Sequence, residues 1–416
     1  MKNLVKLLTL VLLIMISVTA CDQGPKVISP IEIPNLDSLK TYVDKANQTE
    51  DAKDQYFAAL YYLKQYTAAD TTKAIDLLTK SAGQKFPFAA NELGNIYSAD
   101  STNSRYDIKK AIEYYEVGVK GGSDRAMINL ASLYINGEGV TPDYKRALQL
   151  RTDATLGLLA LAEAGDLMAQ HRLGCNLVDG MGVVKNQKAG LAWIKKAADK
   201  GNMLAQYSMG ICYTYGYGGL KKDRQEAFEY FKKAADKGDA KAMTCVASAY
   251  KSGIGTEMNR HSAFNNFLKA ANLGEQDAMF EVALAYQNGY GTDIDYAEAF
   301  KWYKKLAELG NTSAQNNLGA MYQNGQGVVK DEAEAFKWFL KAANAGATFS
   351  MRVVGGCYFE GTGVDRDITK AFEWWKKAAE SGDKISMENI AMCYEAGLGT
   401  AKDASAAEYW NAQARN

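Results

Sequence analysis

The stretch Ala314–Gly346, AQNNLGAMYQNGQGVVKDEAEAFKWFLKAANAG, decides the fold. Ala314, Leu318 and Tyr322 are spaced by four, so they line one face of a helix. Gly325-Gln326-Gly327 ends that helix. The first glycine suits a left-handed C′ cap, and the second lets the loop reverse tightly. A second helical pattern follows, with Ala335, Trp338, Phe339, Ala342 and Ala343 on its apolar side and Gly346 as its stop. The stretch therefore reads as two antiparallel helices, A and B, joined by a short glycine loop.

Working outward, the same pattern recurs. Gly-x-Gly stands at Gly137/Gly139, Gly180/Gly182, Gly216/Gly218, Gly253/Gly255, Gly289/Gly291, Gly325/Gly327, Gly361/Gly363 and Gly397/Gly399. From Gly180 onward the step is 36 residues, once 37, and the first step is 43. Three residues before the first glycine stands Tyr134, Tyr213, Tyr250, Tyr286, Tyr322, Tyr358 or Tyr394, with Leu177 as the exception. Helix B carries an aromatic at one or both of two adjacent positions, as Trp193, Tyr230/Phe231, Phe267, Trp302/Tyr303 and Trp374/Trp375. A unit of this length repeated in register is the signature of a stacked array, in which each hairpin buries its apolar face against its neighbours.

The unit at 314–346 resembles the Sel1-like repeat, a relative of the tetratricopeptide repeats. The resemblance implies an all-α, right-handed α-solenoid of about ten helix-turn-helix repeats. Six complete units run from Ala169 to Gly382, and an unfinished one closes the chain at Asn416. The unit at Ala126–Gly165 is longer by seven residues, an excess expected in helix B around Arg151–Leu161. Residues 123–416 form the expected solenoid. Residues 37–122 are expected to be divergent repeats, with Ala89–Gly122 keeping Leu93-Gly94, Tyr97 and Tyr115, and 37–85 a helical hairpin that caps the end.

Residues 1–20 read as an address rather than as structure. Lys2 and Lys6 precede the apolar run Leu7–Val18, which is shorter than the roughly 20 residues a membrane span needs. Val18-Thr19-Ala20-Cys21 resembles a bacterial lipobox, which implies lipid on Cys21 and a mature protein anchored to a membrane of the cell envelope, facing the periplasm. Asp22 resembles the inner-membrane retention signal of enterobacterial lipoproteins; other bacterial groups read this position differently, so both membranes stay open. Residues 21–36 read as the lipidated cysteine and an extended tether with Pro25, Pro30 and Pro34, and the stretch from Gln23 to about Leu36 reaches up to roughly 40 Å from the membrane at about 3.1 Å per residue.

The 48 basic and 48 acidic residues balance, and without Lys2 and Lys6 the mature chain carries 46 against 48. Nucleic acid is not an expected partner, because nonspecific phosphate binding needs a basic surface. The lysine pairs Lys195-Lys196, Lys232-Lys233, Lys304-Lys305 and Lys376-Lys377 repeat in register and read as the wet side of helix B. Cys175, Cys212, Cys245, Cys357 and Cys393 lie on A helices. Cys212, Cys357 and Cys393 share a register position with Leu133, Ala249, Ala285 and Met321, so core thiols are expected rather than disulfides. His171 and His261 lie far apart, with no cysteine–histidine pair expected within one unit, so neither a metal nor another cofactor is expected. The Gly-x-Gly pairs follow helices rather than strands, which excludes a phosphate loop.

What remains is surface. The exposed faces of the A helices form a groove whose lining varies between units, with Gln206, Tyr207, Gln315, Asn316, Met351, Arg352 and Glu388 as candidate partner-binding residues. The expected function is that of a monomeric, non-catalytic scaffold or adaptor that holds a protein in the envelope. Some Sel1-like lipoproteins resemble immunity proteins that capture a toxic effector, and this is one alternative. Another is a β-lactam-binding or hydrolysing enzyme like some cysteine-rich relatives. It is disfavoured because the cysteines that staple those relatives' hairpins lack partners here, and because a serine with lysine three residues on is expected to be absent.

Overall fold

In a computed structural model, residues 26–34, 36–64, 68–99, 105–181 and 183–415 are described. They form twenty-one α-helices and no strand. The expected all-α repeat architecture is therefore present. The described chain divides into two compact units, one ending at Lys222 and one beginning at Asp223.

The first unit holds α1 (Leu36–Gln48), α2 (Ala52–Leu63), α3 (Ala68–Gly83), α4 (Pro87–Tyr97), α5 (Ile108–Lys120), α6 (Asp124–Asn136), α7 (Tyr144–Glu163), α8 (Leu167–Asp179), α9 (Gln187–Asp199) and α10 (Met203–Tyr215). The second holds α11 (Arg224–Ala235), α12 (Ala240–Ser252), α13 (Arg260–Asn272), α14 (Gln276–Asn288), α15 (Tyr296–Glu308), α16 (Thr312–Asn324), α17 (Glu332–Asn344), α18 (Thr348–Glu360), α19 (Ile368–Glu380), α20 (Lys384–Ala396) and α21 (Ala404–Arg415). From α2 onward the even-numbered helices are the A helices and the odd-numbered ones the B helices. None of the helices is long and apolar enough to cross a membrane among the described residues.

The local rules that make each hairpin are visible at α16 and α17. Asn311 caps α16 by accepting from the Ala314 N–H at 2.9 Å, and Asp331 caps α17 by accepting from the Glu334 N–H at 2.9 Å. Asp331 thus starts a helix. Gly325 ends α16 at φ 68°, a left-handed conformation that costs an L side chain about 1–2 kcal/mol. The Asp331 N–H donates to the Tyr322 carbonyl at 3.0 Å, which closes the loop. The same closure recurs at Asp295 to Tyr286 and Asp367 to Tyr358.

Hairpins then lock to each other. The second loop glycine has φ 71° at Gly327, and a Cβ there would collide with the Tyr296 carbonyl at the start of the preceding helix B. Gly291, Gly363 and Gly399 face the carbonyls of Arg260, Glu332 and Ile368 in the same way. The sequence assigned this glycine to a tight reversal; its further role is backbone contact with the previous hairpin. Beside it a helix-B phenylalanine meets the next helix-A tyrosine edge to face. Phe264–Tyr286, Phe300–Tyr322, Phe336–Tyr358 and Phe372–Tyr394 have centroids 5.2–5.3 Å apart and planes at 82–86°. Such a pair contributes about 0.5–1.5 kcal/mol beyond its buried area. Alanines with no exposure, such as Ala278, Ala299 and Ala314, let the helices approach.

Two N-terminal expectations are corrected. Residues 37–85 hold three helices rather than one hairpin: α1 lies before the hairpin of α2 and α3, with Leu39 fully buried and Tyr42 centred 4.8 Å from Phe57. The expected free tether also ends sooner. Val27 is 4% exposed and belongs to the core beneath α6 and α7, and the Ile28 N–H donates to the Gly122 carbonyl at 3.1 Å. The cause lies in the longer unit. Its seven extra residues extend helix B, so α7 has 20 residues where most have 13, and Gly157 on the added turns has no room for a Cβ because the Val27 side chain sits there. The signal segment and Cys21 lie outside the described residues.

Three substitutions check these contacts. Gly327→Ala and Gly310→Ala both place a side chain at positive φ, but no atom lies within 4 Å of the Cβ position at Gly310. Gly327→Ala is therefore expected to lower the unfolding free energy in urea clearly more, by an additional ~1–3 kcal/mol; equal losses would remove the inter-hairpin role. Val27→Asp is expected to cost about 2–3 kcal/mol, the scale of one buried apolar side chain, and to open residues 26–34 to limited proteolysis. A Val27→Asp protein with unchanged protease resistance would show that the segment is not docked.

Candidate protein-binding surface

The A helices do not present a bare groove. Their polar side chains reach from one A helix to the next. In the first unit, Asn129 on α6 donates to Asn91 and Asn95 on α4 at 3.1 and 3.0 Å, and Tyr115 donates to Asn95 at 2.9 Å. Arg172 on α8 pairs with the buried Asp124 on α6 at 2.6 Å. His171 lies 2.9 Å from Ser208 on α10. In the second unit, Lys251 on α12 pairs with Glu281 on α14 at 2.6 Å, and Ser350 on α18 donates to Asn316 on α16 at 3.1 Å. Arg352 on α18 lies 3.3 Å from Asp383, the N-cap of α20. Sequence reasoning missed these rungs because each uses different residue types. A separation of about one repeat between opposite charges on A helices was the available signal.

The predicted residues divide. Gln206 and Gln315 are not groove residues: they are 6% and 8% exposed, and their amides donate to the carbonyls of Ala198 and Ala307 at 3.3 and 3.1 Å. Gln170 does the same to Ala162 at 2.8 Å. The first turn of helix A lies against the end of the preceding helix B, whose last carbonyls have no partner within their own helix. A glutamine in that register supplies the donor. Tyr207 and Asn316 are half-buried, Met351 packs on the core between α17 and α18, and Glu388 is exposed. Arg352 is 26% exposed and lies 4.9 Å from the ring of Phe349, which is 50% exposed and escaped the sequence reading. The structure brings Arg352 and Phe349 together and ties Asn316 to the same helix.

Helix B shows a different order. Lys196, Lys233, Lys305, Lys341 and Lys377 lie 3.7–5.2 Å from the ring centroids of Trp193, Tyr230, Trp302, Trp338 and Trp374. These lysines face water, as expected, and each also covers an aromatic ring, a contact of about 0.5–1 kcal/mol at an exposed site.

The expectation of no cysteine–histidine pair within a unit is corrected: Cys175 Sγ lies 3.3 Å from His171 Nε2, one helical turn away on α8. The pair is chemically quiet. Burial, with the charges of Arg172 and Arg125, lowers the His171 pKa to about 4, and burial pushes the Cys175 thiol up to about 11. At neutral pH this is a thiol beside a neutral imidazole, whereas a nucleophilic cysteine needs its thiolate. The serine expectation is corrected too. Ser248-Ala249-Tyr250-Lys251 and Ser381-Gly382-Asp383-Lys384 both carry lysine three residues after serine. Neither is built to activate it: Lys251 is held by Glu281, and Ser381, at the end of α19, donates to the Lys377 carbonyl at 2.9 Å. No cluster of three metal-ligating side chains forms among the described residues.

All five described cysteines are free, with Cys212, Cys357 and Cys393 buried and Cys175 and Cys245 half-buried. Burial raises every one of these thiols, to about 11 for Cys175, Cys212, Cys245 and Cys357. A raised pKa keeps the unreactive protonated form through the neutral range. Iodoacetamide is therefore expected to label the native protein slowly at pH 8, with a rate still climbing above pH 9, and the urea-unfolded chain quickly. Fast native labelling that levels off near pH 9 would show open thiols.

A model of the Sel1 repeat matches residues 52–86, 87–123, 124–150, 167–202, 204–239, 240–275, 276–311, 312–346, 348–383 and 385–414. Two of these matches fall in the region read from sequence as divergent. A Sel1 repeat protein from Oxalobacter formigenes is 27% identical over 59% of this chain and 97% of its own, with a TM-score of 0.50. A protective antigen of uropathogenic Escherichia coli with the same fold is 26% identical over 92% of this chain and 89% of its own, with a TM-score of 0.44. The Pseudomonas aeruginosa immunity protein Pa5087 is 22% identical over 54% of this chain and 81% of its own, with a TM-score of 0.37. Ten matched repeats across most of its length place the chain in the Sel1 repeat family.

Proposed function

We propose that this chain is a lipid-anchored envelope protein that holds a protein partner on its A-helix face and has no catalytic step of its own. The observation that carries the reading is the contrast within each repeat. The junction residues barely change: the Asp or Asn that caps helix B, the loop glycines from Gly137 onward and, in the second unit, the Phe–Tyr pair. The water-facing A-helix residues differ in every unit, and they include Phe349, Arg352 and Glu388. A frame that repeats while its lining varies presents one irregular surface of matched polar and apolar spots, which is what recognition of another protein requires.

Anchoring rests on Val18-Thr19-Ala20-Cys21 at the end of the apolar run. Docking of Lys26–Ile28 on the body leaves five residues from Cys21 to Lys26, which span at most about 17 Å at some 3.3 Å each. The reach is thus less than half that of a free tether, and an anchored body sits close to the membrane. Its partner is then a membrane protein or a soluble protein working near that surface.

In-cell crosslinking followed by affinity capture and mass spectrometry tests both parts. The expected result is one dominant envelope protein, reduced several-fold by Phe349→Ala combined with Glu388→Lys, while Cys21→Ala releases the chain from the membrane fraction. A toxic enzyme as the captured protein would specify immunity as the role. No protein above the background of an unrelated lipoprotein would refute the holding function, and membrane retention of Cys21→Ala would refute the lipid anchor.

A further inference from the structure

The repeats of the second unit differ sharply at one place, the junction of α12, α13 and α14. The residue before the helix-A tyrosine is Met321, Cys357 and Cys393 in the three later hairpins, and all three are buried. In α14 the residue is Ala285. Beside this small side chain opens a cavity of about 380 Å³ whose floor is Phe264 and Phe267. That volume lies in the range of roughly 300–1,000 Å³ typical of sites that take a small ligand or an anchoring side chain.

The loops at its mouth differ in the same sense. Five residues after the first loop glycine stand Lys330, Arg366 and Lys402 in the later hairpins. Here the residues are Met258 and Ile294, 61% and 57% exposed. Ile254 and Tyr290 in the same two loops are 44% and 55% exposed. Met258 and Tyr290 line the cavity itself. Apolar side chains left in water around a cavity beside a residue smaller than its counterparts in the later hairpins are the marks of a binding socket rather than of unfinished packing. The charges narrow its occupant. Lys251 and Glu281 at the mouth neutralise each other at 2.6 Å. Arg260, which also lines the mouth, is exposed and has no ion pair among the described residues.

We propose that this junction is a docking socket for a segment of a protein partner that inserts one aromatic or branched aliphatic side chain between Phe264, Phe267 and Ala285 and lays a neighbouring carboxylate on Arg260. The proposal rests on the protein-holding reading and adds a second contact to it. The guanidinium offers two parallel donors to a carboxylate, and the ring floor excludes water around the anchor.

Selection of displayed random peptides on the full chain, with depletion against Ala285→Met, tests it. Methionine at 285 reproduces Met321 of the next hairpin, so an unchanged unfolding midpoint is expected and a filled socket follows. Met258→Glu, on the rim and outside the core, serves as a second variant should Ala285→Met perturb folding. The expected peptides share an aromatic or branched apolar residue flanked by Asp or Glu. Their affinity, read by fluorescence anisotropy, falls at least about tenfold with Ala285→Met, Met258→Glu and Arg260→Glu, the scale of one hot-spot side chain. Peptides that bind the variants as well as the parent chain, or that lack an acidic residue, overturn the socket. So does the absence of any selected peptide. If in-cell crosslinking still yields a dominant protein in those cases, partner holding stands and its contact lies elsewhere; if it yields none, both readings fall.

Discussion

The close approach of one loop to the backbone of the preceding hairpin governs this molecule. At Gly327 the chain passes so near the Tyr296 carbonyl that a single methyl group would not fit, and the same contact recurs at Gly291, Gly363 and Gly399. It sets the distance at which neighbouring hairpins stack. That distance in turn brings Phe300 edge-on to Tyr322 and Phe336 edge-on to Tyr358. A hairpin of two thirteen-residue helices cannot cover its own apolar faces, so each depends on its neighbours for burial.

With the core shared in this way, the A-helix face is free to specialise. Its polar rungs are local inventions, an amide cluster at Asn91, Asn95 and Asn129, an ion pair at Asp124 and Arg172, a hydroxyl–amide contact at Ser350 and Asn316. They stiffen one helix against the next without constraining what else the surface carries. The Asp124–Arg172 pair is nearly buried, so removing one partner would leave an uncompensated charge, whereas the exposed lysine–carboxylate pairs contribute little. The half-buried His171 and Cys175 show that a close pair of reactive groups is not itself a site. The same desolvation that brings them together holds both in their neutral forms.

The lengthened α7 illustrates how one departure from the repeat acquires a structural use. Extra turns would expose apolar surface at the edge of the stack, and Val27 covers it by packing onto Gly157. The insertion and the segment that precedes the first helix are thus one feature, though about 120 residues separate them in the chain.

The sequence alone determined whatever repeats. Glycine, aromatic and alanine positions recur because each answers a local demand, a left-handed cap, a ring contact or a close helix crossing, and a local demand met in repeat after repeat is legible as a period. The capping role of Asp331 was legible in principle, since it precedes Glu334 by three residues in a helix-start pattern. Tertiary structure alone decided what happens once or depends on a neighbour one repeat away. Gln206 and Gln315 look like groove residues because they are polar and lie on helix A; they are buried because the end of the preceding helix B lacks a donor. The docking of Val27, the pairing of Arg172 with Asp124 and the cavity beside Ala285 likewise depend on residues distant in the chain, so no pattern within one hairpin announces them.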